Sequence, residues 1–469
     1  MMKRILYTGL GCVALSMTLV SCKLGRAYVR PEMELPNLKA QLEANRIDST
    51  SNDSASLADL KWWEIYGDTV LQGLIRKTLD QNKDMKTAQA KVKELAALKR
   101  VDVSKLFPQI DGRIYAEKDA KNYGGDQYKS SSKEMVRFLL SWELDLWGNA
   151  RWGMEKSKAQ LLGAMDNMQA MQVSLVAQMA QSYFELVALD HRLKIVKQTL
   201  RARTEGVRLA KIRFEGGLTS ETSYQQARVE LARTVTLVPD LERSISEKEN
   251  EIALLTGSFP YQIPRTELDE QTIAHLLERE IPVGLSSALL ERRPDVRAAE
   301  KALIAANAEV GIAFTNLFPR LTLTAQFGAE SKDLKQFFQS PAHFLSANLL
   351  APIFAMGRNR AQLKAKKAAY EQQVYQYEKQ VIVAFKEVRN ALVGFNKSQE
   401  VFVAKQKLEE ASYTSNQLAN LQYLNGYIGY LDVLDAQRSY FDAQLSLSDA
   451  VLAKQLALVQ LYKALGGGW

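Results

Sequence analysis

The chain has 469 residues, of which 46% are apolar and 24% charged, with a formal net charge of +8. Those proportions belong to a folded protein and exclude a disordered one; beyond the N-terminus no run of about 18 uncharged apolar residues suggests a spanning helix. Aromatics make up 9% and lysines and arginines form no clustered run, which leaves nucleic-acid binding unsupported.

The first residues set the compartment. Lys3 and Arg4 precede an apolar stretch over 5–20, the pattern of a secretory signal, here 1–21. Leu19-Val20-Ser21-Cys22 is similar to a bacterial lipobox, with Cys22 as the lipid anchor. Cys12, after Gly9-Leu10-Gly11 in the middle of the apolar stretch, is a poorer match. Lys23, in the place after Cys22, resembles a signal for sorting to the outer membrane. Acylation of Cys22 leaves the mature chain without a free thiol, so disulfides and cysteine catalysis are excluded.

From residue 107 onward the chain says one thing twice. Phe107-Pro108 opens a weakly alternating stretch with Ile110, Ile114 and Ala116. After a polar loop over 119–133, residues 135–147 alternate cleanly. Val136, Phe138, Leu140, Trp142, Leu144 and Leu146 fall on one face, and Arg137, Ser141, Glu143 and Asp145 on the other. Residues 151–214 then hold a helical pattern without proline, with Leu161, Ala164, Met165, Met168, Met171 and Leu175 at helical spacing. Gly216-Gly217 mark a turn, and a second helical run extends from about Ser220 to Thr256-Gly257.

The second copy opens on Phe318-Pro319. Leu321, Leu323, Ala325 and Phe327 oppose Thr322, Thr324 and Gln326 over 320–329. A shorter polar loop over 330–341 leads to 344–354, with Leu345, Ala347, Leu349 and Ile353 on one side. A long helix follows over 360–423, with Val381, Ala384, Phe385, Val388, Leu392 and Phe395 at helical spacing. Gly426 turns the chain into a return helix from near Tyr430 to Leu465-Gly466, 209 residues after Gly217 (426 − 217).

Period-two alternation means strands with one buried face. A soluble antiparallel sheet would satisfy that, but runs of about ten residues have the length of tilted membrane strands, and Trp142, Trp147 and Phe354 can form interfacial girdles. Four strands cannot close a barrel, since the smallest bacterial ones have about eight. Open sheet edges are forbidden in lipid because their N–H and C=O groups find no water. The chain must then oligomerise, and three copies would give about twelve strands. Helices of roughly sixty residues measure about 90–95 Å, too long for one compact core. Their mixed faces suit coiled coils or tube walls wet on one side.

At this point the chain resembles the TolC-like outer membrane factor family, in the lipoprotein branch that serves RND-type multidrug efflux. Trp62-Trp63 followed by Tyr66-Gly67-Asp68 matches the family's N-terminal motif. The most specific stretch is Leu289-Leu290-Glu291-Arg292-Arg293-Pro294-Asp295-Val296-Arg297-Ala298-Ala299-Glu300, and the tail from Leu461 to Trp469 is nearly as telling. Leu431-Asp432-Val433-Leu434-Asp435-Ala436-Gln437-Arg438 lies where the family narrows its periplasmic end.

The resemblance implies a mixed architecture: a homotrimer closing a twelve-stranded outer-membrane β-barrel above a long α-helical periplasmic tunnel. It implies a division into a signal (1–21), a lipid-anchored arm and equatorial segment (22–66), repeat 1 (67–257), an equatorial linker (258–282) and repeat 2 (283–469). It implies a periplasmic adaptor protein and an inner-membrane RND-type pump as partners, with outer-membrane lipid around the barrel. No cofactor, no metal and no catalysis are expected.

Residues Asp432 and Asp435 are i and i+3 on a helix, with Arg438 a further i+3. Alone they read as a solvated face with an ordinary ion pair. Three-fold symmetry would turn them into two carboxylate rings, which select cations and narrow a pore. The family match makes Leu431 an apolar constriction and Tyr423 a tether between the inner helices and their neighbour. Gly217, Leu218 and Thr219 with Gly426, Tyr427 and Ile428 are the expected adaptor-docking tips. The first repeat has Ser223 and Gln226 in place of the aspartates, and Ile428 stands where some relatives carry a tip arginine.

His191, His275 and His343 are isolated, and no phosphate loop or serine elbow is present. A lipid-anchored cell-wall hydrolase would need such a set. A structural envelope lipoprotein with coiled-coil arms does not account for the strand pairs. A type I protein-secretion channel is the alternative cargo route; the lipobox and the tail favour small molecules.

Overall fold

The computed structural model describes residues 23–34, 68–122, 124–125, 129–266, 292–332 and 338–467. Within them the elements are α1 (Thr69–Gln81), α2 (Lys83–Ser104), β1 (Gln109–Lys121), β2 (Lys129–Leu144), α3 (Asn149–Glu215), α4 (Glu221–Leu255), α5 (Pro294–Thr315), β3 (Arg320–Ser331), β4 (Pro341–Leu350), α6 (Arg358–Leu424) and α7 (Tyr430–Ala464). They belong to two compact units, bounded as Met1–Met33, Lys91–Met165 and Ala298–Glu378 for one, and Glu34–Ala90, Asp166–Arg297 and Lys379–Trp469 for the other.

The duplication is visible residue by residue. The long helices α3 and α6 each have 67 residues, and α4 and α7 each have 35. Their starts are offset by 209 (358 − 149). Ahead of them the offset between β1 and β3 is 211 (320 − 109), so the second strand hairpin is two residues shorter. A helix of 67 residues is about 100 Å long.

The first unit holds one antiparallel sheet in the order β1-β2-β3-β4. Its register aligns the apolar faces. Ile110 pairs with Leu140, Leu140 with Ala325, and Ala325 with Leu345. Trp142, Leu323 and Ala347 make a second such row, and Leu144, Leu321 and Leu349 a third. The opposite face carries Ser141, Thr324 and Ser346 in one row and Glu143, Thr322 and Asn348 in the next, with Leu139 and Phe344 as apolar exceptions. On the apolar face Ile114, Phe327 and Leu345 are 83%, 68% and 81% exposed. Such a surface needs a cover, and no helix among the described residues is long and apolar enough to cross a membrane.

Strand limits differ from the sequence expectation. Most of the stretch expected as a loop over 119–133 is paired, up to Lys121 with Lys129; lysines and serines on exposed strands lose nothing by pairing. The β4 ladder ends at Leu350 and not at 354, because Pro352 has no N–H to donate. The β2 ladder ends at Leu144. There the Asp145 carboxylate turns to the start of α3, accepting from Ala150 N at 3.0 Å and Arg151 N at 3.1 Å.

The arm after the expected anchor is tied to this unit. Leu24 N donates to Trp147 O, and the Trp152 indole donates to Leu24 O at 2.7 Å. Lys23 lies 3.2 Å above the Trp152 ring and pairs with Glu155. Arg30 forks onto Glu300 with two bonds of 2.7 Å.

In the helices the two expected apolar stripes fare differently. On α6, Val381, Ala384, Phe385, Val388, Leu392 and Phe395 are all buried. On α3, Leu175 is buried but Met165 is 42% exposed. Further along the long helices Ile212, Ile382, Val401, Leu418 and Leu421 are also exposed. Apolar residues at helical spacing therefore mark two kinds of surface here, one packed within the chain and one exposed on the single chain.

Candidate functional site

The second unit contains the turns of both helical hairpins and all the candidate gate and tip residues. Each hairpin turns in the same way. Leu218 N donates to Arg213 O and Gly217 N to Phe214 O, with Gly217 at φ +71°. Tyr427 N donates to Gln422 O and Gly426 N to Tyr423 O, with Gly426 at φ +79°. These are Schellman closures, which place one residue in the left-handed region that glycine adopts without a Cβ penalty. Beyond the glycines Leu218 is 74% and Tyr427 82% exposed, while Thr219 and Ile428 are half-buried.

The start of α7 is two-sided. Val433, Leu434 and Ala436 are buried, whereas Leu431, Asp432 and Asp435 are exposed together. The Asp432 carboxylate accepts from Gly429 N at 3.0 Å and caps the helix, a favourable place for a negative charge. Asp435 stands one turn further on the same face.

The hydrogen bond of Arg438 goes to Glu230 and not to Asp435, and that bond, helped by the nearby Asp435 charge, raises Arg438 above its ordinary value. Its guanidinium donates to Glu230 of α4 at 2.7 Å. Glu230 is 3% exposed and also receives Arg233 at 3.0 Å and Arg203 of α3 at 3.4 Å. Burial pushes the Glu230 carboxyl up, but the hydrogen bond from Arg438 and the nearby charge of Arg203 outweigh it and hold the group below the usual carboxylate range. A buried anion draws the strongest donor within reach, and Asp435, being solvated, cannot compete. Arg203 donates further to Glu230 O and Thr234 Oγ1 and lies 5.3 Å from the Phe441 ring. Three helices, α3, α4 and α7, thus meet at one carboxylate.

The expected Tyr423 tether takes a different form within the chain. The Arg213 guanidinium lies 4.5 Å from the Tyr423 ring centre, and Tyr430 stands 5.5 Å away. The ring, not the hydroxyl, makes both contacts; the one to Arg213 links the two hairpins, and the one to Tyr430 lies within the second.

The most specific motif has a structural role. Arg293 is 5% exposed, forks onto Asp295 at 2.7 and 3.0 Å, and donates to Glu387 at 2.6 Å and to Ala464 O at 2.9 Å. It clasps the start of α5 to α6 and to the end of α7. Burial pulls the Arg293 guanidinium down, but Asp295 and Glu387 raise it above its ordinary value. Sequence reasoning recognised Arg293 as a signature but not as a clasp, and it missed Glu230 altogether. Glu230 lies 208 residues from Arg438, and nothing local marks it. Cys22, Trp62, Trp63, Tyr66, Gly67, the Leu289-Leu290-Glu291 segment, Gly468 and Trp469 lie outside the described residues.

No group of three or more metal-ligating side chains occurs among the described residues. The arrangement offers an exposed acidic and apolar helix face beside two glycine-closed tips, and a sheet that is apolar on one side.

Comparison with known proteins agrees with that reading. The model of the outer membrane efflux protein family matches residues 74–258 and 285–467. The cation efflux system protein CusC of Escherichia coli O157:H7 is 30% identical over 463 residues, covering 98% of both chains. The pyoverdine export outer membrane protein OpmQ of Pseudomonas putida is 31% identical over 428 residues, 90% of each chain. The solved structure of the outer-membrane channel OprN superposes with a TM-score of 0.86 at 29% identity, covering 96% of this chain and all of that one. The chain is therefore a member of the outer membrane efflux protein family, a trimeric outer-membrane exit channel that joins a β-barrel to a helical periplasmic tunnel.

Proposed function

We propose that the exposed face formed by Leu431, Asp432 and Asp435 is the periplasmic gate of this channel, and that the turns at Gly217 and Gly426 are where a periplasmic adaptor docks. In a trimer the aspartates become two carboxylate rings, and such rings attract cations and narrow a pore. The reading is carried by the two-sided start of α7: its apolar side is buried and its acidic side is left free. The exposed Leu218 and Tyr427 give an adaptor apolar anchors at the tips.

The cargo class is small molecules, expelled across the outer membrane by an inner-membrane RND-type pump that supplies the energy. Relatives named for cation efflux and for pyoverdine export support small cargo. The chain acts as a conduit and performs no catalytic step. Cys22 anchors it, and the residues that follow, Lys23 and Leu24, are held against Trp147 and Trp152.

Deletion and complementation test this. Cells lacking the chain should accumulate a fluorescent efflux substrate, and the wild-type gene should restore export. A charge-swapped Asp432→Lys, Asp435→Lys gene should give intact trimers with altered export. Export that is indifferent to both the deletion and the charge swap would contradict the reading.

A further inference from the structure

The polar face of the sheet sets two arginines side by side. Arg113 on β1 and Arg137 on β2 are direct register partners. Like charges at directly opposed positions disfavour strand pairing, so the arrangement calls for a compensating group.

Arg137 is compensated in part. It donates to Gln326 Oε1 at 2.8 Å and pairs with Glu330, which Lys133 shares at 3.0 Å. Its Nε is buried without a hydrogen-bond partner. Arg113 is exposed, and its guanidinium lies 5.5 Å from the Tyr115 ring; no carboxylate among the described residues pairs with it. Asp111, two positions along the strand on the same face, makes no bond to it, and Glu117 is engaged by the Tyr115 hydroxyl.

Closing the barrel does not supply the missing charge. β1 and β4 are the two edges of the sheet, so the open side of β1 meets β4 of the next copy. β4 reads PAHFLSANLL and contains no Asp or Glu. Whatever the register between copies, that strand brings no carboxylate to Arg113. Nor can a lipid headgroup serve, because lipid meets the opposite face, with Ile110, Ile114, Val136 and Phe138.

We propose that Arg113 and Arg137 form an anion site on the inner wall of the barrel, tripled by symmetry into a ring that takes the phosphate or carboxylate groups of passing solutes. Guanidinium forks bind both groups with paired hydrogen bonds, and rings of basic side chains favour anions in a pore. The site rests on the exit-channel reading and adds a selectivity to it. The conduit then carries acidic rings at the tip and a basic ring in the barrel, so it does not sort cargo by one sign of charge.

The test is planar-bilayer recording of purified trimers, with inorganic triphosphate added on the barrel side. Wild type should be blocked. Arg113→Ala and Arg137→Ala should each raise the half-blocking concentration about tenfold, and Arg113→Lys should fall between wild type and Arg113→Ala, because the charge remains but the fork is lost. Arg113 is exposed and has no ion-pair partner among the described residues to lose, so Arg113→Ala stays informative even if Arg137→Ala fails to assemble. Triphosphate without effect on wild type, or equal block of wild type and Arg113→Ala, overturns the proposal. Trimers that pass no current at all would instead sink the exit-channel reading.

Discussion

Arginine placed at adjacent positions of β4 separates a membrane barrel from a soluble sheet. Leu345 closes the row Ile110, Leu140, Ala325, Leu345 near the middle of β4. Ser346, its neighbour, closes the row Gln109, Ser141, Thr324, Ser346 on the other face. If the apolar face meets lipid, Leu345→Arg costs about 2–4 kcal/mol per chain near the midplane, and about 6–12 kcal/mol per trimer. That is comparable to the whole stability of an ordinary domain, about 5–15 kcal/mol. Ser346→Arg looks into the wet lumen, where a surface change costs within about 0.5 kcal/mol. The readout is the fraction of outer-membrane protein that migrates as trimer on semi-native gels, followed by the urea midpoint of what remains. Leu345→Arg should strip most of the trimer and Ser346→Arg almost none. Equal losses, or a greater loss at Ser346, would refute the assignment of the two faces.

Three further outcomes follow from the second unit. Gly217→Val or Gly426→Val forces a β-branched residue into the left-handed region, at a local cost of about 1–3 kcal/mol; resistance to an exported drug should fall while trimer yield holds, and unchanged resistance would move the adaptor contact elsewhere. Tyr423→Phe keeps the ring beneath Arg213 and should leave resting conductance near wild type, whereas Tyr423→Leu should raise it; a large effect of Tyr423→Phe would point to a hydroxyl bond instead. Glu230 has a depressed pKa, so its contribution to stability is present at neutral pH and is lost as pH falls from the ordinary glutamate value, about 4.3, through its own lower one. Trimer melting followed from about pH 7 to pH 3 should therefore lose less on acidification in Glu230→Gln than in wild type, and identical pH slopes would contradict the role of the buried carboxylate.

Much of this fold could be read from residue spacing. The alternation of Val136, Phe138, Leu140 and Trp142 survives in the register because period two is a property of one strand. The helix ends could be read from Gly217 and Gly426, since few other residues take their conformation. Contacts between distant segments could not be read this way. Arg438 stands three residues from Asp435 and feels its charge, but its hydrogen bond goes to a buried carboxylate on α4 that spacing does not reveal. Met165 and Met168 had the spacing of core residues, yet spacing does not say whether the covering surface comes from the same chain. Among the 11 prolines, Pro352 shortened a strand that alternation alone extended to 354.

The central claim is that three copies of this chain enclose one continuous, gated conduit. Purified trimers in a planar bilayer, with a trivalent cation added on the periplasmic side, test it most directly. Discrete steps of one size should appear, the cation should block them, and Asp432→Ala with Asp435→Ala should weaken that block strongly, because the attraction depends on charge converging on the axis. Block of undiminished strength in the double variant would place the aspartates away from the pore, and trimers without discrete steps would contradict the conduit itself.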